Sequence, residues 1–216
     1  MTNDNDALPV PSEPQNVINS ETPNQAETKT PALIETQTPA QILKFPTTPA
    51  WLQKYYDRGF RLIFYETKKK GPEGLSARGW TERSDKVEDY RPGQNVGVFT
   101  GTEISEGKCL ADIDFDWADG LALAKFILPA TGFGLGRSSR MISHSFYTTP
   151  TPIPSCVSEN IDGKNFVELR GTKADGTIGL QTMLPPSIHP SGEEVQIRMD
   201  DDLGHVEDLH RHVALY

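Results

Sequence analysis

Beyond residue 45 the apolar positions fall into short runs with two different periods. TPAWLQKYYDRGF reads as a capped helix, with Thr48 as the cap, Pro49 in the first turn and Gly59 as the stop. ADGLALAKFILP, residues 118–129, reads as a second helix that Pro129 ends. RLIFYE (61–66), NVGVFTG (95–101), CLADIDFD (109–116), MISHSFY (141–147), NFVELRG (165–171) and IGLQTMLPP (178–186) read as strands. Between them, TKKKGPEGLSARGW reads as a basic loop, TERSDKVEDYRPGQ as a polar stretch with a short helix, and GFGLGRSSR as a flexible loop. Helices and strands follow no strict βαβ rhythm and no segment repeats. The expected class is therefore α+β, a mixed α/β fold.

The strand at 109–116 raises the first chemical question. Successive strand side chains point to opposite faces, so Cys109, Ala111, Ile113 and Phe115 share one face and can be buried. Leu110, Asp112, Asp114 and Asp116 share the other. Neighbouring carboxylates repel one another unless a cation sits between them. The run is either a solvent-facing strand end or half of a metal site. A calcium loop also opens D-x-D-x-D, but it needs Gly and Glu where this chain has Trp117 and Leu123, so that reading fails. A phosphoaspartyl hydrolase would want Thr or Val in place of Asp116. A third chemical reading, beside the hydrolase, is the carboxylate pair of a nucleotidyl-transfer enzyme, which holds divalent ions about 3.5–4 Å apart.

Two further stretches bear on the choice. In GLGRSSRMISHSFYTTP, Ile142, His144 and Phe146 share a strand face, and His144 is either a structural or a functional histidine. Just upstream, Arg137, Ser138, Ser139 and Arg140 offer the guanidiniums, hydroxyls and backbone N–H groups that a triphosphate requires. In NFVELRG, Glu168 and Arg170 point the same way. A Glu on an apolar strand needs a metal or a partner, and Arg170 is one candidate. PPSIHPSGE then forms a rigid polar turn that carries Ser187 and His189.

Composition narrows the field. Residues 1–45 are rich in Thr, Pro, Asn, Gln and Glu, hold six acidic residues against Lys29 and Lys44, and lack aromatics until Phe45. They bury too little apolar surface to offset ordering entropy and read as a disordered leader, with AQILKF (40–45) able to pack on the domain or on a partner. Residues 46–216 form the expected folded domain. The chain carries a net charge of −9, which argues against a broad basic nucleic-acid footprint but allows a narrow basic channel. Two cysteines, Cys109 and Cys156, exclude a disulfide framework and a four-cysteine zinc site. No apolar run approaches the ~20 residues that span a bilayer, so a soluble, cytoplasmic protein is expected, with no membrane partner.

The order of the motifs is itself informative. Gly79–Trp80, NVGVFTG, LADIDFD, GRSSRMISHSFY, VELRG and QTMLPPSIHPSGE, taken together, resemble the bifunctional primase–polymerase (prim-pol) domain of the archaeo-eukaryotic primase superfamily. The resemblance runs from about Leu62 to Glu194, with the C-terminal 206–216 as an extension. It implies a primase-type fold with an RRM-like catalytic sheet flanked by helices. On it, Asp112 and Asp114 fall on the metal-binding motif, Glu168 on the third acidic motif, and His144, preceded by Ser143, on the motif that contacts the nucleotide phosphates. It further implies that Arg137 and Ser139 help hold the triphosphate and that Arg170, Gln181, Ser187 and His189 line the nucleotide side.

The implied activity is primer synthesis and extension on single-stranded DNA from NTP or dNTP, with two Mg²⁺ or Mn²⁺ ions and no zinc. The setting would be the replication system of a plasmid, phage or integrated element, with a replicative helicase domain or subunit as partner. A catalytically silent DNA- or nucleotide-binding module of the same fold is the alternative, and the intact Asp112, Asp114, His144 and Glu168 weigh against it.

Overall fold

A computed structural model describes residues 48–215 apart from 159 and 162–163, so the expected leader at 1–45 lies outside the described residues. The strands in chain order are β1 (Leu62–Tyr65), β2 (Asn95–Phe99), β3 (Glu103–Ser105), β4 (Lys108–Phe115), β5 (Phe133–Arg137), β6 (Arg140–Thr149) and β7 (Cys156–Val157). They continue with β8 (Asn160–Ile161), β9 (Lys164–Asn165), β10 (Val167–Arg170), β11 (Gln181–Leu184), β12 (Gln196–Asp200) and β13 (Gly204–His205). Among the described residues the α-helices are α1 (Ala50–Asp57), α2 (Ala118–Ile127) and α3 (Leu209–Val213). The class is α+β, dominated by a largely antiparallel eight-stranded sheet with the path β12-β5-β6-β4-β10-β7. A smaller sheet runs β1-β2-β11. Among the described residues, no helix is long and apolar enough to cross a membrane.

Strand alternation sorts the core into layers. The β4 residues Ala111, Ile113 and Phe115 face the helical side, where they pack with Val167 and Leu169 of β10 and with Leu121, Leu209 and Val213 of the helices. The opposite face presents Leu110, Leu135 and Phe146 to α1 and to Leu62, Phe64, Val96, Val98 and Leu184 of the smaller sheet. That sheet's outer face buries Ile63, Tyr65 and Phe99 under Trp80, whose ring stacks on Phe99 at 5.6 Å. The face that carries Asp112 and Asp114 is thus the face onto which the second sheet docks.

Three local expectations change. Pro49, with φ of −55°, takes the position at the start of α1 expected for Thr48, and no side chain caps that end. The short helix expected in the polar stretch is of the 3₁₀ type and comes in two pieces, Trp80–Glu82 and Val87–Asp89. The run GFGLGRSSR is not a flexible loop: it contains β5 and the tight turn into β6. Its glycines serve close approach, since a Cβ on Gly136 would lie 2.0 Å from the Met141 carbonyl oxygen and one on Gly134 would lie 2.5 Å from the Met199 methyl. The end of α1 follows the sequence, with Gly59 at φ +77°.

Candidate active site

Register brings the acidic and basic residues together. Asp114 lies opposite His144 on β6 and opposite Glu168 on β10, while Asp112 lies opposite Phe146 and Arg170. Directly opposed residues of an antiparallel pair share a face, so His144, both aspartates, Glu168 and Arg170 form one patch on β6, β4 and β10. The smaller sheet closes over its deep end through Thr182 of β11, which shares the inward face with Leu184.

Asp112 is fully buried. Its Oδ2 accepts the Thr182 hydroxyl at 2.6 Å and the His144 Nδ1–H at 2.9 Å. A carboxylate only accepts, so the bond fixes the proton on Nδ1 and leaves Nε2 for another partner. Asp112 Oδ1 is buried with no hydrogen-bond partner among the described residues. Burial pushes the His144 ring down, but Asp112 and Asp114 outweigh it and hold the imidazole above its ordinary value. Asp114 is raised, first by burial and then by Asp112 and Asp116, against the lowering pull of His144 and Arg170.

Arg170 is the positive centre of the patch. Its Nε donates to Glu168 Oε2 at 2.9 Å and lies 3.6 Å from Asp114 Oδ2, and its Nη1 reaches the Gln181 carbonyl at 3.3 Å. Burial opposes its charge, yet Asp114, Asp112 and Glu168 more than restore it. With Arg170 holding Glu168, no three His, Cys, Asp or Glu side chains among the described residues are gathered as a ready metal cluster. The oxygens nearest to such a role are the orphaned Oδ1 of Asp112 and the carboxyl of Asp114.

Above the patch opens a cleft of about 460 Å³. On the sheet side it is lined by Asp114, Asp116, Ser143, His144, Arg170 and Gln181. The other wall brings Lys70 together with Arg137, Ser139 and Arg140 of the β5–β6 turn and with His189, Ser191 and Glu193 of the PPSIHPSGE turn. Arg137 Nη1 donates to His189 Nδ1 at 2.7 Å, and the Ser191 N–H donates to the same nitrogen at 3.1 Å. The ring proton of His189 therefore sits on Nε2. Burial, then Arg137 and Lys70, holds this imidazole below its usual value.

The sequence-derived residues divide into groups. Asp114, His144, Ser143, Arg137, Ser139, Arg170, Gln181 and His189 line the cleft. Asp112 lies beneath it, and Glu168 is turned to Arg170. Ser187 is fully buried away from the cleft wall, where its hydroxyl accepts the Val96 N–H at 2.8 Å and ties the turn to β2. Gln181 is positioned by the Lys70 carbonyl, which accepts its Nε2–H at 2.5 Å, and by the bare backbone of Gly97, over which its carboxamide lies where a Cβ would otherwise sit. The sequence left Thr182, Ser191 and Glu193 without a role. Thr182 directly follows Gln181 in the chain, and it is the pairing of β11 with β2 that turns it inward.

An acidic strand facing a wall of guanidiniums and hydroxyls across a cleft has the make-up of a phosphate-handling site. The family model for the bifunctional DNA primase/polymerase N-terminal domain (Prim-Pol) matches residues 52–209, from α1 to the first residue of α3. The chain belongs to this family, whose general activity is DNA priming and polymerisation. No curated protein matches the chain.

Proposed function

We propose that the domain is a DNA-dependent primase–polymerase that makes and extends primers on single-stranded DNA by metal-assisted nucleotidyl transfer. The observation that carries this reading is the register: Asp114, His144 and Glu168 stand abreast on three adjacent strands, under a cleft whose other wall is basic. Asp112, Asp114 and Glu168 would hold Mg²⁺ or Mn²⁺, a pair of ions in the full complex. Hard carboxylate oxygens suit these ions, and a cation would satisfy the orphaned Asp112 oxygen and favour the ionised form of Asp114. Such ions supply activation of the attacking 3′-hydroxyl and neutralisation of the leaving pyrophosphate.

The protein's own contribution is positioning. Arg137, Ser139, Arg140 and His189 hold the triphosphate from one side. His144, committed to Asp112 through Nδ1, offers Nε2–H to a phosphate oxygen when it is protonated. Thr182 and His144 fix Asp112, while Arg170 holds Glu168 and must yield it when the ligand set closes. Arg170 can do so without leaving the patch, because Asp114 and the Gln181 carbonyl lie beside it. The partners that suit this reading are a single-stranded template, NTP or dNTP, and a replicative helicase domain or subunit.

A primer-synthesis assay tests it, with circular single-stranded DNA, labelled NTP or dNTP, Mg²⁺ or Mn²⁺, and an Asp112→Ala/Asp114→Ala control. Short products that vanish in the control are expected. Extension of an annealed primer without initiation would restrict the domain to polymerisation. Neither activity, with nucleotide binding intact, would make it a silent binding module.

A further inference from the structure

The basic wall of the cleft already holds an anion of its own. Glu193 lies in the 188–194 turn, which is closed by His189 N–H donating to the Glu193 carbonyl at 2.8 Å. Its carboxylate reaches across to the β5–β6 turn. Oε1 accepts the Ser139 N–H at 2.7 Å, and Oε2 accepts the hydroxyls of Ser139 at 2.8 Å and Ser191 at 2.9 Å. Arg137 Nη1 stands 3.7 Å from the same Oε2. Two hydroxyls, one backbone N–H and one guanidinium thus converge on a single carboxylate at the cleft surface.

That donor set is what a terminal phosphate takes up: oxygen anions met by N–H, O–H and a guanidinium. A phosphate offers three oxygens and up to two charges to the same donors, against two oxygens and one charge for a carboxylate. We propose that Glu193 is a resident stand-in for the terminal phosphate of the incoming nucleotide, filling its seat until a triphosphate displaces it and returning as pyrophosphate departs. This rests on the reading of the cleft as a nucleotide site. The seat selects for ligands able to evict a carboxylate, so a triphosphate gains more from it than a diphosphate does. Glu193 also keeps the two turns together between turnovers, which preserves the wall while no nucleotide is bound.

The test measures binding of inorganic triphosphate and of a dNTP by calorimetry to wild type, Glu193→Gln and Glu193→Ala, with Tm recorded for each. Removing the competitor should tighten triphosphate binding about ten-fold in Glu193→Ala, the scale of one charge-assisted hydrogen bond set. KM for the dNTP should fall in step, while kcat stays level or drops as pyrophosphate leaves more slowly. Glu193→Gln, which keeps an acceptor but not the charge, should fall between, and it serves if the Ala variant does not fold. If wild type binds triphosphate and neither variant binds it more tightly, Glu193 is a clasp for the turns and the stand-in role is overturned. If no form binds triphosphate, the nucleotide reading of the cleft falls with it.

Discussion

Thr182 holds the most deeply buried carboxylate of the site with one hydroxyl, at 2.6 Å. Removing that hydroxyl leaves Asp112 Oδ2 with the His144 bond alone and lets the carboxylate turn. Thr182→Val should lower primer extension by about 10–100-fold, assayed well below a Tm that itself falls by a few degrees, while Thr182→Ser keeps most activity and stability. A KM close to wild type would separate this from damage to the nucleotide wall. Asp112 and Asp114 were legible in the sequence because a period of two assigns their face before any contact is known. Thr182 was not, because its partner is 70 residues away on another sheet. Ser187 shows the converse: a serine in a suggestive turn spends its hydroxyl on the β2 backbone.

At the scale of the element, β5 is where sequence reading and structure part most clearly. Glycines at 134 and 136 suggest freedom, but here each marks a surface that another chain segment touches. Gly136→Ala would set a methyl against the backbone carbonyls of Met141 and Arg140 and should cost roughly 1–3 kcal/mol, read as a lower denaturation midpoint. Gly97→Ala offers the contrast. Its Cβ would meet the end of the Gln181 side chain at 2.0 Å, and that chain can move aside. The variant should fold much as wild type does, yet carry Gln181 out of the cleft and raise KM for the nucleotide. The Gly-Phe-Gly-Leu-Gly alternation is itself a strand period, the signal by which β5 was available in the sequence.

For the molecule as a whole, a net charge of −9 coexists with a cleft that gathers Lys70, Arg137, Arg140 and Arg170. The acidic remainder steers anions to that one opening, so nucleotide and template association should weaken steeply with added salt. The same concentration of positive charge acts on His189. Its folded pKa lies below the ordinary 6.5, so the unfolded chain binds its proton more readily. Above about 6.5 the residue leaves stability unchanged, and as pH falls through that value it subtracts from stability until the lower folded pKa is passed. Thermal midpoints measured from about pH 8 to about pH 5 should therefore fall less in His189→Gln than in wild type.

Asp112 comes from one sheet and its hydroxyl partner from another, and Arg170 likewise leans on the β11 backbone through the Gln181 carbonyl. A half-assembled chain, with β4, β6 and β10 joined and β11 still loose, would carry every acid of the site and keep Asp112 from its working position. Activity would then arrive only with the last docking step, so a newly made or partly opened molecule would be idle rather than error-prone on a template.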